Sequence, residues 1–167
     1  MSLVLRADGC ELELDSVGHL AWWTHGADAR ELLTAGGSPL LQVVSGGTTS
    51  PPTRGSFDAD SGEFSLEYEP ACTTLTVSAR ERGTHLTFEV VRVEGDTPDG
   101  VLWGPIQTTV GGSIGEIVGV AREGDVAAGI QALSIQTAGG HTGAGVGDVL
   151  SAAGETDDGA ALQAYTL

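Results

Sequence analysis

Lysine is absent from this sequence, and cationic side chains are few. Seven arginines stand against 23 aspartates and glutamates, which gives a formal net charge of −16 at pH 7. A surface of this sign repels phosphate backbones, so the composition argues against a nucleic-acid partner. The acidic residues are scattered along the chain, which favours adaptation to concentrated salt over a dedicated cation-binding surface. A salt-loving source organism is therefore our hypothesis for the excess of acid.

Long apolar runs are also missing. None approaches the roughly 20 residues that a membrane-spanning helix needs, which argues against a membrane partner. No signal peptide is visible, and we expect a soluble protein. Residues 1–3 could be a cloning leader in place of a native one, so the cellular compartment stays open.

Cysteine is scarce, with only Cys10 and Cys72. Two residues so far apart lack the close spacing of a zinc knuckle. Cys10 shares the alternation of Leu12 and Leu14, so we expect it to point inward as a small hydrophobe. Whether the two cysteines form a disulfide cannot be decided from their separation.

What the chain does contain is a series of short alternating segments that predict strands. The length of 167 residues and the 40% hydrophobic content suit one domain with a real core, over residues 1–167. Alternation of apolar and polar residues with a period of two predicts strands with one solvent-exposed face. The alternating segments are 10–14, 63–69, 74–80 and 85–93, and further strands are predicted at 19–24, 40–44 and 162–167.

The remaining segments complete a prediction of nine or ten strands. The continuously apolar runs Ile114–Arg122 and Val126–Leu133 predict a hairpin that turns at Glu123-Gly124-Asp125. Trp103-Gly104-Pro105 is expected to end a strand and to leave the indole at its tip. Residues 30–33 are a brief helical turn or a loop, and residues 45–61 and 136–159 are expected to be Gly-rich loops. The fold class predicted is an all-β, antiparallel β-sandwich.

Three segments within residues 102–133 resemble a known family. Leu102–Thr109, Ile114–Val120 and Gly129–Leu133 are similar to a β-sandwich domain at the front of large carbohydrate-active proteins, of the galactose-mutarotase-like supersandwich type. The opening strands and the closing Ala161–Tyr165 also look like such a domain, which in longer relatives leads on to further domains. The resemblance implies the fold and a carbohydrate context. The apolar closing strand would suit a domain cut from a longer protein, and the sequence leaves open whether the chain is such a fragment. The resemblance does not imply epimerase activity, because the His and Glu pair of the mutarotases cannot be placed here.

Candidate ligand-binding residues are tryptophans and glutamines. Trp22, Trp23 and Trp103 could stack on the apolar face of a pyranose, or could simply be core residues. Because neighbours on a strand point to opposite faces, Trp22 and Trp23 cannot both be core on one side. Gln107 and Gln131 could bind sugar hydroxyls, or could close backbone hydrogen bonds at strand edges.

Catalytic and metal candidates are weaker. Glu116 is a carboxylate inside an apolar strand, where it could act as an acid or base with His25 or His141, or form a structural ion pair. Asp148, Asp157 and Asp158 offer oxygen ligands for Ca²⁺, but their spacing matches no known loop. No cofactor motif is found, since the glycines at 111–115 lack the helix and lysine of a phosphate cradle.

These observations favour a non-catalytic, carbohydrate-associated module. It would bind a glycan weakly, with Trp103 and either Trp22 or Trp23 nearest the sugar, or would support a catalytic domain of a longer parent protein. The alternatives are a sugar-active enzyme, either an epimerase or a glycosidase, that uses a Glu/His pair, and a purely structural or oligomer-forming domain.

The charge imbalance generates the first prediction. Raising KCl from about 0.1 M to about 1 M shortens the Debye length from about 10 Å to about 3 Å, which screens the repulsion among carboxylates. We therefore expect the melting temperature, followed by circular dichroism, to rise steeply with KCl. Sucrose is the control, because it stabilises by exclusion from the surface without screening charge. A melting temperature indifferent to KCl would contradict the prediction.

Overall fold

Extended strands make up most of the described chain. The structure, a computed structural model, describes residues 2–34, 37–58, 61–115, 119–134, 137–143, 148–155 and 161–166. Within these ranges, the backbone alone is described for residues 113–115, 138–143, 148–155 and 161–166. One 3₁₀ turn, Glu69–Ala71, is the helical element of this part of the chain. None of the described residues forms a helix long and apolar enough to cross a membrane.

Eighteen strands are found in the described residues. In chain order they are β1 (Leu3–Ala7), β2 (Cys10–Leu14), β3 (His19–His25), β4 (Arg30–Glu31), β5 (Ser38–Pro39), β6 (Leu41–Ser45), β7 (Thr48–Ser50), β8 (Arg54–Asp58), β9 (Glu63–Tyr68), β10 (Thr73–Glu81), β11 (His85–Gly95), β12 (Gly100–Gln107), β13 (Ser113–Gly115), β14 (Gly119–Glu123), β15 (Val126–Ala132), β16 (Thr137–Gly143), β17 (Asp148–Glu155) and β18 (Ala161–Thr166).

The strands form three antiparallel sheets. Sheet 1 has eight strands in the order β13-β14-β15-β18-β11-β10-β9-β8, and sheet 2 has five in the order β16-β17-β12-β6-β7. Sheet 3 runs β1-β2-β3-β4, and β5 also pairs with β3. The predicted all-β, antiparallel sandwich is confirmed by these pairings.

Sheets 2 and 3 are joined by backbone hydrogen bonds between the residues that follow β4 and the end of β12, the central strand of sheet 2, and we treat them together as one joined layer. Leu33 and Thr108 form an isolated antiparallel bridge between them. The Thr34 N–H donates to the Gln107 carbonyl at 3.0 Å, and the Thr109 N–H donates to the Leu32 carbonyl at 2.8 Å. This short ladder extends β4 and β12 beyond their last residues and connects the two sheets.

The core lies between this joined layer and sheet 1. The Tyr68 hydroxyl of sheet 1 donates to the Leu41 carbonyl of sheet 2 at 3.0 Å, and burial raises the pKa of Tyr68 far above its usual range. The rings of Phe88 and Trp103 meet across the same gap, with centroids 6.4 Å apart. A buried Trp removes about 150–250 Å² from water, roughly 4–6 kcal/mol as an upper bound at 25 cal/mol/Å². The side chains that share this core with exposures of 2% or less include Leu12, Leu14, Leu20, Trp23, Leu41, Val43, Phe64, Leu66, Leu75, Val77 and Trp103.

The turn between β2 and β3 fixes the joined layer against sheet 1. Asp15 Oδ1 accepts the backbone N–H groups of Val17, Gly18 and His19 at 2.8–2.9 Å. Partial burial alone would raise the pKa of Asp15, but these three donors and the nearby His19 together hold it below its ordinary value. The Ser16 carbonyl then accepts the Gly55 N–H of sheet 1 at 3.0 Å.

Several local predictions were wrong. Residues 45–61 and 136–159 were predicted as loops, but they contain β7 and β8 in the first case and β16 and β17 in the second. Their side chains are too small or too polar to show an apolar period, and the strands are instead supported by hydrogen bonds to neighbours such as β12. Residues 30–31 form the short strand β4 rather than a helical turn.

Two strand boundaries also differ from the prediction. The run Ile114–Arg122 is divided between β13 and β14, which pair with each other, while the turn at Gly124 is confirmed by the pairing of β14 with β15. Trp103 does not end its strand, because β12 continues to Gln107 through a register shift between Trp103 and Ile106. The indole is therefore inside the sandwich and not at a strand tip.

Gly95 provides a test of the packing between the ends of β10 and β11. Its φ is +87°, and a Cβ there would lie 2.2 Å from the Cys72 carbonyl oxygen. Gly83 has a φ of +73° but nothing within 4 Å of an added Cβ, so it is a matched control for backbone strain alone. We expect Gly83→Ala to cost about 1 kcal/mol and Gly95→Ala at least about 3 kcal/mol in urea unfolding. Equal costs would contradict the close approach at Gly95.

Candidate functional site

The three tryptophans lie in two different environments. Trp23 and Trp103 are both 0% exposed. The Trp23 indole N–H donates to Cys10 Sγ at 3.0 Å, which confirms that Cys10 faces the core. The prediction that Trp103 or Trp23 contacts a sugar is wrong for this fold, because each indole is enclosed by core side chains and presents no face to solvent.

Trp22 is on the opposite, outer face of β3 and is half-buried. It lies directly across from Glu13 of β2, and its indole N–H donates to Glu13 Oε2. A hydrogen bond from a neighbouring strand limits rotation of the indole and leaves part of the ring in contact with solvent. Trp22 is therefore the sequence-predicted tryptophan that can meet a ligand.

Polar side chains surround Trp22 on the outer face of sheet 3. The row that contains Glu13 and Trp22 is followed, two residues along the strands, by a row that contains Arg6, Glu11 and Thr24. Two residues of strand correspond to about 7 Å, which is within reach of a single ligand. Arg6 Nε donates to Glu11 Oε1 at 2.6 Å, so this row holds a neutralised ion pair beside the aromatic ring.

A cavity opens at the end of the same row. Its volume is about 380 Å³, within the range of small-ligand sites. One wall is the row of Arg6, Glu11 and Thr24, and the other is the turn that follows β3. The lining residues are Arg6, Ala7, Gly9, Cys10, Glu11, Thr24, Gly26, Ala27 and Ala29. Trp22 does not line this cavity, but it lies two residues along β3 from Thr24, which does. We call the outer face of sheet 3 that carries Trp22, Glu13 and the cavity the Trp22 face.

The residues proposed for catalysis are not brought together in the described part of the chain. His25 lies across from Cys10 in the register of β2 and β3, and its ring is 3.6 Å from the position of a Cβ on Gly9. Glu116 lies outside the described residues. His141 belongs to β16, but only its backbone is described. The Glu/His hypothesis therefore remains a prediction.

The remaining candidates are dispersed. Gln107 ends β12 in sheet 2, whereas Gln131 is in β15 of sheet 1, so the two glutamines belong to different layers. Asp148 begins β17, and Asp157 and Asp158 lie outside the described residues. Among the described side chains, no group of three or more His, Cys, Asp or Glu residues could hold a metal ion.

Sequence reasoning missed Arg6, Glu11, Glu13 and Thr24 as site residues. The sequence did contain a sign that Glu11 and Glu13 face outward, because they alternate with the inward residues Cys10, Leu12 and Leu14. Any strand paired with β2 must place its own outward residues beside these carboxylates. What the sequence could not provide was the register that puts Trp22 beside Glu13.

Comparison with known proteins identifies the fold but no activity. No protein-family model matches the chain, and no curated protein matches it. Among solved structures, the chain is similar to the Slr1438 protein from Synechocystis sp. PCC 6803, with a TM-score of 0.56 over 99% of this chain and 95% of that one. The sequence identity is 10%, so the likeness supports a shared all-β fold alone.

Proposed function

We propose that this protein is a non-catalytic carbohydrate-binding module that binds a glycan weakly on the Trp22 face. The observation that carries the proposal is the outward position of Trp22 beside Glu13, next to a 380 Å³ cavity. Trp23 and Trp103 have no part in binding, because they are enclosed in the core.

The chemistry of the Trp22 face suits an uncharged sugar. The C–H groups of a pyranose pack against an indole, and removing that apolar area from water is favourable. The carboxylates of Glu13 and Glu11 accept hydrogen bonds from sugar hydroxyls, and Thr24 can donate or accept. The ion pair of Arg6 with Glu11 cancels the one cationic group that lines the cavity, so nothing in this lining favours an acidic sugar.

Weak affinity follows from the size of the aromatic contact. One half-buried indole contributes a limited apolar area, and association must first offset the loss of translational and rotational freedom. A platform of this kind is effective when the glycan is long or when several modules act together.

The test is a titration of neutral oligosaccharides, followed by calorimetry at a constant, high KCl concentration. For any glycan that binds, Trp22→Ala should lower the affinity about tenfold or more, equivalent to about 1.4 kcal/mol, because the stacking contact is lost. Trp22→Phe should retain part of the affinity. Glu13→Gln should weaken binding because it removes the charged acceptor beside the ring.

Glu89→Gln is the matched control, because Glu89 is an exposed strand carboxylate on β11 of the other layer. The Glu89→Gln protein should bind the glycan with the same affinity as the unmodified protein. Absence of binding across the panel would refute the proposal. So would an unchanged affinity in a Trp22→Ala protein whose melting curve shows that it is folded.

A further inference from the structure

The outer face of sheet 1 carries a polar row that is separate from the Trp22 face. Four residues from four successive strands are register partners: Ser56 of β8, Ser65 of β9, Thr76 of β10 and Arg92 of β11. Cross-strand partners project from the same face of a sheet, so three hydroxyls and a guanidinium form a line across it.

A small cavity of about 170 Å³ lies over this row. Thr76 is 3% exposed and forms its floor. Ser61 and the register partners Asp58 and Glu63 extend the lining beyond the row. The volume is well below the 300–1,000 Å³ of sites for drug-sized ligands, so an occupant must be correspondingly small.

Opposite charges are held apart in this cavity. Arg92 donates from Nε and Nη2 to Thr76 Oγ1 at 3.4 and 3.3 Å, which holds the guanidinium over β10 and β11. Glu63 lies on β9, two strands from Arg92 and two residues further along, which together separate the backbones by about 12 Å. The described part of the chain gives Glu63 no ion pair within 4 Å, while Arg92 approaches Glu94 at 3.8 Å.

The next row, which contains Glu63, also holds an unsatisfied hydroxyl, that of Ser78, although Ser78 does not itself line the cavity. Ser78 lies directly across from Glu63 on one side and Glu89 on the other. It is 4% exposed, and its Oγ has no hydrogen-bond partner in the described structure. A buried polar group without a partner is uncommon in a folded protein, and it often marks a place where a ligand or an ordered water completes the bonding.

We propose that this cavity binds a small zwitterion with one carboxylate and one primary ammonium group, as in an α-amino acid. The carboxylate meets the free donors of Arg92, and the ammonium group meets Glu63, with the serine hydroxyls between them. An anion alone is attracted by Arg92 but repelled by the carboxylates of Glu63 and Asp58, and a cation alone is attracted by the carboxylates but repelled by Arg92. A ligand that carries both charges can pair with the arginine and with the glutamate at the same time. The ligand class that we propose is therefore a zwitterion rather than a saccharide or a phosphate.

The experiment is an NMR titration of the full chain with L-alanine and L-serine at a fixed KCl concentration. Acetate and methylamine serve as the two halves of the ligand. We expect saturable shifts of amide signals from β8–β11 with the amino acids, and affinities at least about tenfold weaker for either half. Glycine betaine should also bind weakly, because its quaternary ammonium group cannot donate a hydrogen bond to Glu63.

Two variants and two controls connect the result to the site. Arg92→Gln and Glu63→Gln should each abolish the shifts. Arg54→Gln and Glu67→Gln change a neighbouring pair on the same face, 3.8 Å apart, and should leave binding unchanged. The proposal is overturned by the absence of saturable shifts with either amino acid, by equal affinity for acetate, or by binding that survives Glu63→Gln.

Discussion

The burial of Trp23 is the constraint on which the arrangement of sheet 3 depends. Its indole is fully enclosed, and its N–H is satisfied by Cys10 Sγ on the neighbouring strand. Because side chains alternate along a strand, this anchoring determines that Trp22 and Thr24 face outward. The register of β2 against β3 then places Glu13 beside Trp22. A slip of one residue would bury the carboxylates and expose the leucines, so the register is strongly determined.

The sandwich places apolar side chains between its layers and polar side chains on its outer faces. Leucines and the larger aromatic rings fill the space between sheet 1 and the joined layer, and acidic and hydroxyl side chains cover the outer faces. Each outer face consequently presents a different surface. Sheet 3 offers a partly exposed indole with carboxylates, and sheet 1 offers hydroxyls between an arginine and a glutamate.

Much of the fold could be predicted from local patterns, and the failures have physical causes. The alternation at Cys10–Leu14 and at Phe64, Leu66 and Tyr68 is visible because large apolar residues must face one core. The strands β16 and β17 are rich in Gly, Ala and Ser, so their sequences carry no such pattern. Trp103 was misplaced because Gly104-Pro105 usually ends a strand, whereas β12 accommodates it with a register shift. The site depends on pairings between strands, which one sequence does not specify.

The central claim is that Trp22 is accessible while Trp23 and Trp103 are enclosed, and acrylamide quenching of tryptophan fluorescence tests it most directly. The account predicts that the unmodified protein has one readily quenched component and that Trp22→Phe removes it. It also predicts that Trp103→Phe leaves that component in place. Quenching that persists in the Trp22→Phe protein, or that disappears in a folded Trp103→Phe protein, would contradict the account.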